Sequence, residues 1–223
     1  QARVFVATSD TLNSPGRAAE FIAAVEAREI DVIVGTQLVT KGFHFPELTL
    51  VGVVDADLGL EGGDLRAGER TYQQVAQVAG RAGRGSKPGE VLIQTRHPEA
   101  PVIAALAAGD RDAFYSAETE MRREAGAPPF GRWASIIISS EDDGEAREAA
   151  NRLGAFRPDV ADCMILGPAP APMALLRGRY RYRFLINARR SVQLQHVIRR
   201  WLTQVDHPAG VRVTVDIDPY SFV

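Results

Sequence analysis

Two arginines three residues apart, each directly after a glycine, stand in the segment Gln77-Val-Ala-Gly-Arg-Ala-Gly-Arg84. Guanidinium groups so spaced can point the same way and hold a phosphate through paired N–H donors, while the glycines free the backbone beneath them. A glycine-terminated helix with two exposed arginines would give the same string. Some forty residues upstream, Val-Gly-Thr-Gln-Leu-Val-Thr-Lys-Gly-Phe-His-Phe-Pro, Val34 to Pro46, turns at Gly35-Thr36 and opens again at Lys41-Gly42. Backbone amides and the Thr36 hydroxyl in such a loop suit an anion. The string Gly80 to Lys87 approaches a P-loop but fails as one. Ser86 and Lys87 stand in the wrong order, and the segment follows a predicted helix where a P-loop must follow a strand. Asp55 and Asp57, at the end of a predicted strand, are the nearest metal-ligand candidates, with salt-bridging or turn-capping as the plainer role.

A second cluster lies in the charge pattern. No Asp or Glu occurs between Asp162 and Asp206, an interval that holds Arg177, Arg179, Arg181, Arg183, Arg189, Arg190, Arg199 and Arg200. That segment carries +8 within a chain of net charge −2, so it could attract a polyanion although the whole molecule would not. A solvated Arg-rich face is the alternative. If 177–187 is extended, the four arginines at 177, 179, 181 and 183 share one face, and Tyr180, Tyr182, Phe184 and Ile186 the other. The tyrosines then continue an apolar row and read as core in preference to base-stacking platforms. Trp201, within the stripe Leu194, Val197, Ile198, Trp201, Leu202, Val205, also reads as core, with Arg199 and Arg200 off that stripe and so placed to extend the basic patch.

The elements that must position these groups follow from the hydrophobic periods. The strand at 3–7 leads to Ser14-Pro15, a helix cap with proline at the first helical position, and a helix runs from there to about Arg28. Short apolar strands are predicted at 31–34, 48–54 and 89–95, with helices at 66–80 and 99–125, the latter interrupted near Ala108-Gly109. Alternation of this kind predicts an α/β layer built on a parallel sheet. The breaker Ala125-Gly-Ala-Pro-Pro129 divides the chain into domains at 1–128 and 129–223. Beyond it the order is strand 133–139, helix 145–156, strand 163–166, strand 180–187, helix 192–205, strand 211–217. That is the split βαβ plan of ferredoxin-like α+β domains, with helices on one face of an antiparallel sheet.

With 223 residues, 45% of them hydrophobic and 24% charged, the chain holds enough apolar material for one large or two small cores. No run approaches the ~20 apolar residues of a membrane span, and the N-terminus lacks a signal pattern, so a soluble, cytoplasmic protein is expected. The single Cys163 excludes an internal disulfide and a cysteine zinc cage within this chain.

Gly35 to Asp57 with Gln77 to Arg84 resembles motifs V and VI of the superfamily 2 helicases, and specifically of the PriA (primosomal protein N′) family of replication-restart helicases. Leu166 to Pro172, Arg177 to Leu185 and the ending Val-Asp-Ile-Asp-Pro, 215–219, are similar to the same family. The resemblance implies a partial second RecA-like lobe followed by a C-terminal DNA-binding domain. It implies that Arg84 is the finger reaching the ATP γ-phosphate, with Arg81 beside it and Gln77 positioning nucleotide or water. Gly42 and His44 would lie near the nucleotide, Thr36 against a DNA phosphate, and Arg177, Arg179, Arg181 and Arg183 on forked DNA. His44 departs from the acid that many superfamily 2 helicases carry there.

The activity implied is ATP-dependent 3′-to-5′ unwinding at stalled forks, with nucleoid association and with single-strand-binding protein and primosome proteins as partners. ATP and Mg²⁺ would bind only once a first lobe completes the site. With no Walker A or B motif, this chain alone is not expected to hydrolyse ATP, and the family's zinc cysteines fall outside it. A non-catalytic nucleic-acid-binding scaffold and another superfamily 2 translocase, such as a RecG-like one, are the rival readings.

Overall fold

The computed structural model describes residues 2–35, 45, 47–60, 64–83 and 88–222. Among these, residues of 1–60 and 68–111 form one compact unit, and those of 61–67 and 112–223 a second.

The first unit follows the alternating pattern. Strand β1 (Val4–Ala7) leads to helix α1 (Pro15–Glu26), whose Ser14 side chain accepts a hydrogen bond from the Arg17 amide at 3.3 Å while Pro15 occupies the first turn. Strand β2 (Val32–Gly35) pairs in parallel with β1, and Phe5 on β1 stacks on the buried Phe21 of α1 at 4.6 Å. Strand β3 (Leu50–Val53) pairs in parallel with β4 (Glu90–Ile93), and helix α2 (Ala67–Ala79) connects them. Helix α3 (Pro101–Ala108) closes at Gly109, whose φ of 64° ends it where the sequence predicts an interruption. The expected single parallel sheet is instead two separate two-stranded parallel sheets among the described residues. Their strands β2 and β3 both border one cavity and do not pair across it.

The second unit begins with helix α4 (Arg111–Glu124) and continues with β5 (Gly131–Ser140), α5 (Asp143–Ala155), β6 (Cys163–Leu176), β7 (Arg179–Arg189), α6 (Leu194–Leu202) and β8 (Arg212–Ile217). The β-α-β-β-α-β order is as read from the sequence. The four strands form one antiparallel sheet in the order β6-β7-β5-β8. One face is buried under α5 and α6. Ile136, Ile138, Phe184 and Ile186 from the strands meet Ala149, Ala150 and Leu153 of α5 and Leu194, Ile198 and Trp201 of α6. Trp201 is 1% exposed, lies edge-on to Phe184 at 5.1 Å, and donates its indole N–H to the Leu153 carbonyl at 2.9 Å.

One strand is far longer than the sequence suggests. Residues 163–166 read as a short strand because Pro168, Pro170 and Pro172 follow, yet β6 runs on to Leu176. It can do so because β6 is an edge strand, where a missing N–H leaves no neighbour unpaired. The register slips between Leu166 and Ala169 and again between Pro170 and Leu175. Arg181 fills the second gap by donating to the Met173 carbonyl.

Candidate functional site

The first candidate is the cavity of about 690 Å³ in the first unit, bordered by β2 and β3 on one side and α2 on another. It brings Gly35, the start of the Val34–Pro46 segment, to the same space as Arg81, just beyond α2, with Gln74 and Val78 between. The turn after α2 is built tightly. Gly83 has a φ of 72° and donates its amide to the Leu48 carbonyl at 2.9 Å, and a Cβ here would meet the Gly89 nitrogen at 2.7 Å. Glycine at the second position of Gly-Arg-Ala-Gly is therefore a steric demand of the turn, and it holds the arginine segment against the entry to β3. Arg81 is half-buried and Gln77 exposed on α2. Thr36, Gly42, His44 and Arg84 lie outside the described residues.

Asp57, one of the two candidate metal ligands, is committed elsewhere. Its buried carboxylate accepts from the Thr95 hydroxyl at 2.6 Å, the Arg96 amide at 2.6 Å and the Arg96 guanidinium at 3.4 Å, tying the end of β3 to the end of β4. The Thr95 hydroxyl first, then the Arg96 amide, hold its pKa below the ordinary carboxylate value against the opposing effect of burial. Asp55, with φ 57°, borders the cavity. Among the described residues no cluster of three or more His, Cys, Asp or Glu is placed to hold a metal ion.

A pH dependence follows for the first unit. A depressed carboxylate contributes stability above its unfolded pKa and loses it as the pH falls through the folded value. Thermal unfolding of this unit is expected to be flat from neutrality to about pH 5 and to weaken progressively below about pH 4. Asp57→Asn should lower the midpoint at pH 7 and flatten its share of that fall. Parallel profiles for the two proteins would contradict the assignment. The comparison is needed because Asp31, also held low by its bond to Arg3, titrates in the same unit.

The second candidate is the sheet face that α5 and α6 leave uncovered. The alternation on β7 is as the sequence predicts from residue 179 onward. Phe184 and Ile186 are buried toward the helices. Tyr182 packs against the same core and its hydroxyl is engaged, donating to Asp143 at 2.9 Å and accepting from Arg147 at 3.0 Å. That closed group explains why the Asp143 pKa is lowered and the Arg147 pKa raised, with the Tyr182 bond the largest cause of both.

The arginines do not form one uniform ladder. Arg177, with φ 51°, stands in the β6–β7 turn with Gly178 and not in the strand. Arg179 is a clasp, 17% exposed, donating to the Ser139 carbonyl at 2.9 Å and the Gly210 carbonyl at 2.7 Å and pairing with Glu141 at 3.3 Å. Arg183 donates to the Phe222 carbonyl at 2.8 Å, and burial, followed by the charge of Arg181, lowers its pKa. Main-chain carbonyls far away in sequence thus accept bonds that no local acid offers.

The chain's last residues cover part of this face. Asp218 accepts from the Trp133 amide at 2.9 Å and the Arg132 guanidinium at 2.8 Å, and its own amide returns a bond to the Trp133 carbonyl at 2.7 Å. Phe222 packs edge-on to Trp133 at 5.3 Å in a small cluster with Ala127 and Leu185. Arg66 donates to the Pro219 carbonyl at 2.9 Å. In the sequence, 215–219 stands out only through its family resemblance. The physical signal within it is Asp218, a residue type that tolerates its positive φ of 50° while offering a carboxylate.

Comparison with known proteins bears on both sites. The family profile described as "Primosomal protein N C-terminal domain" matches residues 123–220, from the last two residues of α4 to just beyond β8. The Replication restart protein PriA of Rickettsia conorii is 43% identical over 222 residues, covering 100% of this chain and 34% of that protein. The chain belongs to the PriA family. Its relatives there include the PriA of Bacillus subtilis, 35% identical over 227 residues with 28% of that protein covered. The PriA of Haemophilus influenzae is 32% identical over 213 residues, covering 94% of this chain and 29% of that protein. The chain corresponds to the C-terminal region of PriA proteins and spans about a third of the length of the curated relatives it matches. Among the described residues no helix is long and apolar enough to cross a membrane.

Proposed function

We propose that residues 1–128 serve as the second RecA-like lobe, and residues 129–223 as the ferredoxin-like DNA-binding domain, of a cytoplasmic ATP-dependent 3′-to-5′ helicase that restarts replication at stalled forks. The observation that carries this reading is the match to PriA proteins through the whole chain, taking in both the Gly-Arg-Ala-Gly-Arg segment and the Arg/Tyr hairpin. The parallel pairs β1-β2 and β3-β4 suit a RecA-like lobe, and the strand order β6-β7-β5-β8 suits the split βαβ plan.

In this reading Gln77, Arg81 and Arg84 face the nucleotide, with Gly42 and His44 beside it, and Mg²⁺ is held by the opposing lobe. ATP bound there supplies the energy of translocation. The arginines stabilise charge on the phosphoryl oxygens, and Thr36 couples that state to a DNA phosphate. Arg177 and Arg181 offer their charge to forked or single-stranded DNA, while Arg179 and Arg183 hold the hairpin and the tail that present them. Single-strand-binding protein and primosome proteins are the protein partners.

The test uses the full-length protein. Arg84→Ala should reduce DNA-stimulated ATP hydrolysis by about 10³-fold or more while ATP still binds. An unchanged rate would remove the finger role, and hydrolysis by the 223-residue chain alone would remove the two-lobe site.

A further inference from the structure

The antiparallel register joins residues that the sequence keeps far apart. Ser139 on β5 is opposite Arg181 on β7 and, on its other side, opposite Arg212 on β8. Directly paired residues of an antiparallel sheet point to the same face, so Arg181, Ser139 and Arg212 form one row across three strands on the face away from α5 and α6. Strand spacing sets the two arginine Cα atoms about 10 Å apart. Arg212 is exposed, and no hydrogen bond or ion pair of its side chain occurs among the described residues. Arg181 spends one N–H on the Met173 carbonyl. Between them the Arg179 guanidinium reaches over Ser139.

The rest of the face has a different character. The next row is Arg183, Ile137 and Thr214, with Arg183 tied to Phe222. Beyond it lie Leu185, Ser135 and Asp216, and then Trp133 beneath Phe222. Positive charge is therefore concentrated at the row of Ser139, and the acids Asp216 and Asp218 lie toward the tail. Glu141, paired with Arg179, is the acid at the basic end.

We infer that a single nucleic-acid strand crosses the sheet along the Arg181–Ser139–Arg212 row, its phosphates contacted by Arg181 and Arg212, and that Arg212 is a DNA-binding residue of this domain. This rests on the DNA-binding reading above and changes its geometry, because the contact runs across the strands and not along β7. A phosphate backbone fits better than an acidic peptide. The row offers two separated guanidinium groups on either side of the Ser139 position, and the exposed Met173, Leu175 and Leu176 belong to the hairpin instead.

The test is fluorescence anisotropy of the 223-residue chain on a labelled oligo-dT strand and on a fork, over 50 to about 300 mM salt. Arg212→Ala and Arg181→Ala should each weaken binding of the single strand about five-fold at 0.1 M salt and lower the log K against log salt slope by about 0.7, the release accompanying one phosphate contact on a single strand. The double variant should lose about twice that slope. Arg212→Lys keeps the charge and should restore the slope, which a fold defect would not do. Arg199→Ala, an equal charge loss on α6 over the opposite face, should bind as wild type. Wild-type binding that Arg212→Ala leaves unaltered would overturn the row while the DNA-binding domain stands. Loss in Arg199→Ala equal to that in Arg212→Ala would reduce the row to net charge. No binding by the wild-type chain would remove the DNA reading itself.

Discussion

Trp201→Ala is expected to destabilise the second unit by about 3 to 5 kcal/mol, the largest single-residue effect in the molecule. The indole is fully enclosed between Phe184, Leu153 and the rest of the core under α5 and α6. Removing it opens a cavity at the meeting point of the two helices and β7, where neither helix can collapse without breaking its own packing on the sheet. It also removes the donor to the Leu153 carbonyl near the end of α5. Since a small domain has only about 5 to 15 kcal/mol in hand, this unit should melt well before the wild type does. Far-UV circular dichroism in urea would show the transition moving to lower denaturant, with Trp201→Phe losing about half as much. A loss below about 1 kcal/mol would mean that Trp201 is not the centre of this core.

Asp218→Ala should cost about 3 kcal/mol and release the tail from the sheet. Two effects add. The carboxylate's bonds to the Trp133 amide and the Arg132 guanidinium disappear, each a bond to a charged group. Alanine must then adopt the left-handed φ of 50°, which disfavours an ordinary L-residue by about 1 to 2 kcal/mol. With the latch open, Phe222 leaves Trp133, and Arg183 loses its acceptor. In a Trp201→Phe background the remaining tryptophan fluorescence should shift to the red. Asp218→Asn keeps an acceptor oxygen and tolerates the same φ, so it should retain most of the stability and the unshifted emission. Equal losses in the alanine and asparagine variants would show that charge alone, and not the latch geometry, holds the tail.

Local periodicity by itself determined a good deal of this protein. The three- and four-residue spacing of α1, its Ser14-Pro15 cap and the Gly109 stop of α3 each depend on neighbours in the chain, so each is written in the sequence. The alternation along β7 is of the same kind, and the two-residue period alone separates Phe184 and Ile186 from the arginines. Tertiary structure decided what those arginines do. Apart from Glu141, which pairs with Arg179, their acceptors are the carbonyls of Ser139, Met173, Gly210 and Phe222, and every residue type carries a carbonyl, so that pairing leaves no compositional trace. The length of β6 was hidden for a related reason. Proline forbids a ladder bond in the middle of a sheet but not at its edge, and which strand is the edge depends on the order β6-β7-β5-β8. The same register set Arg212 in one row with Arg181, since sheet pairing acts across space and brings together residues whose separation along the chain carries no information about their contact.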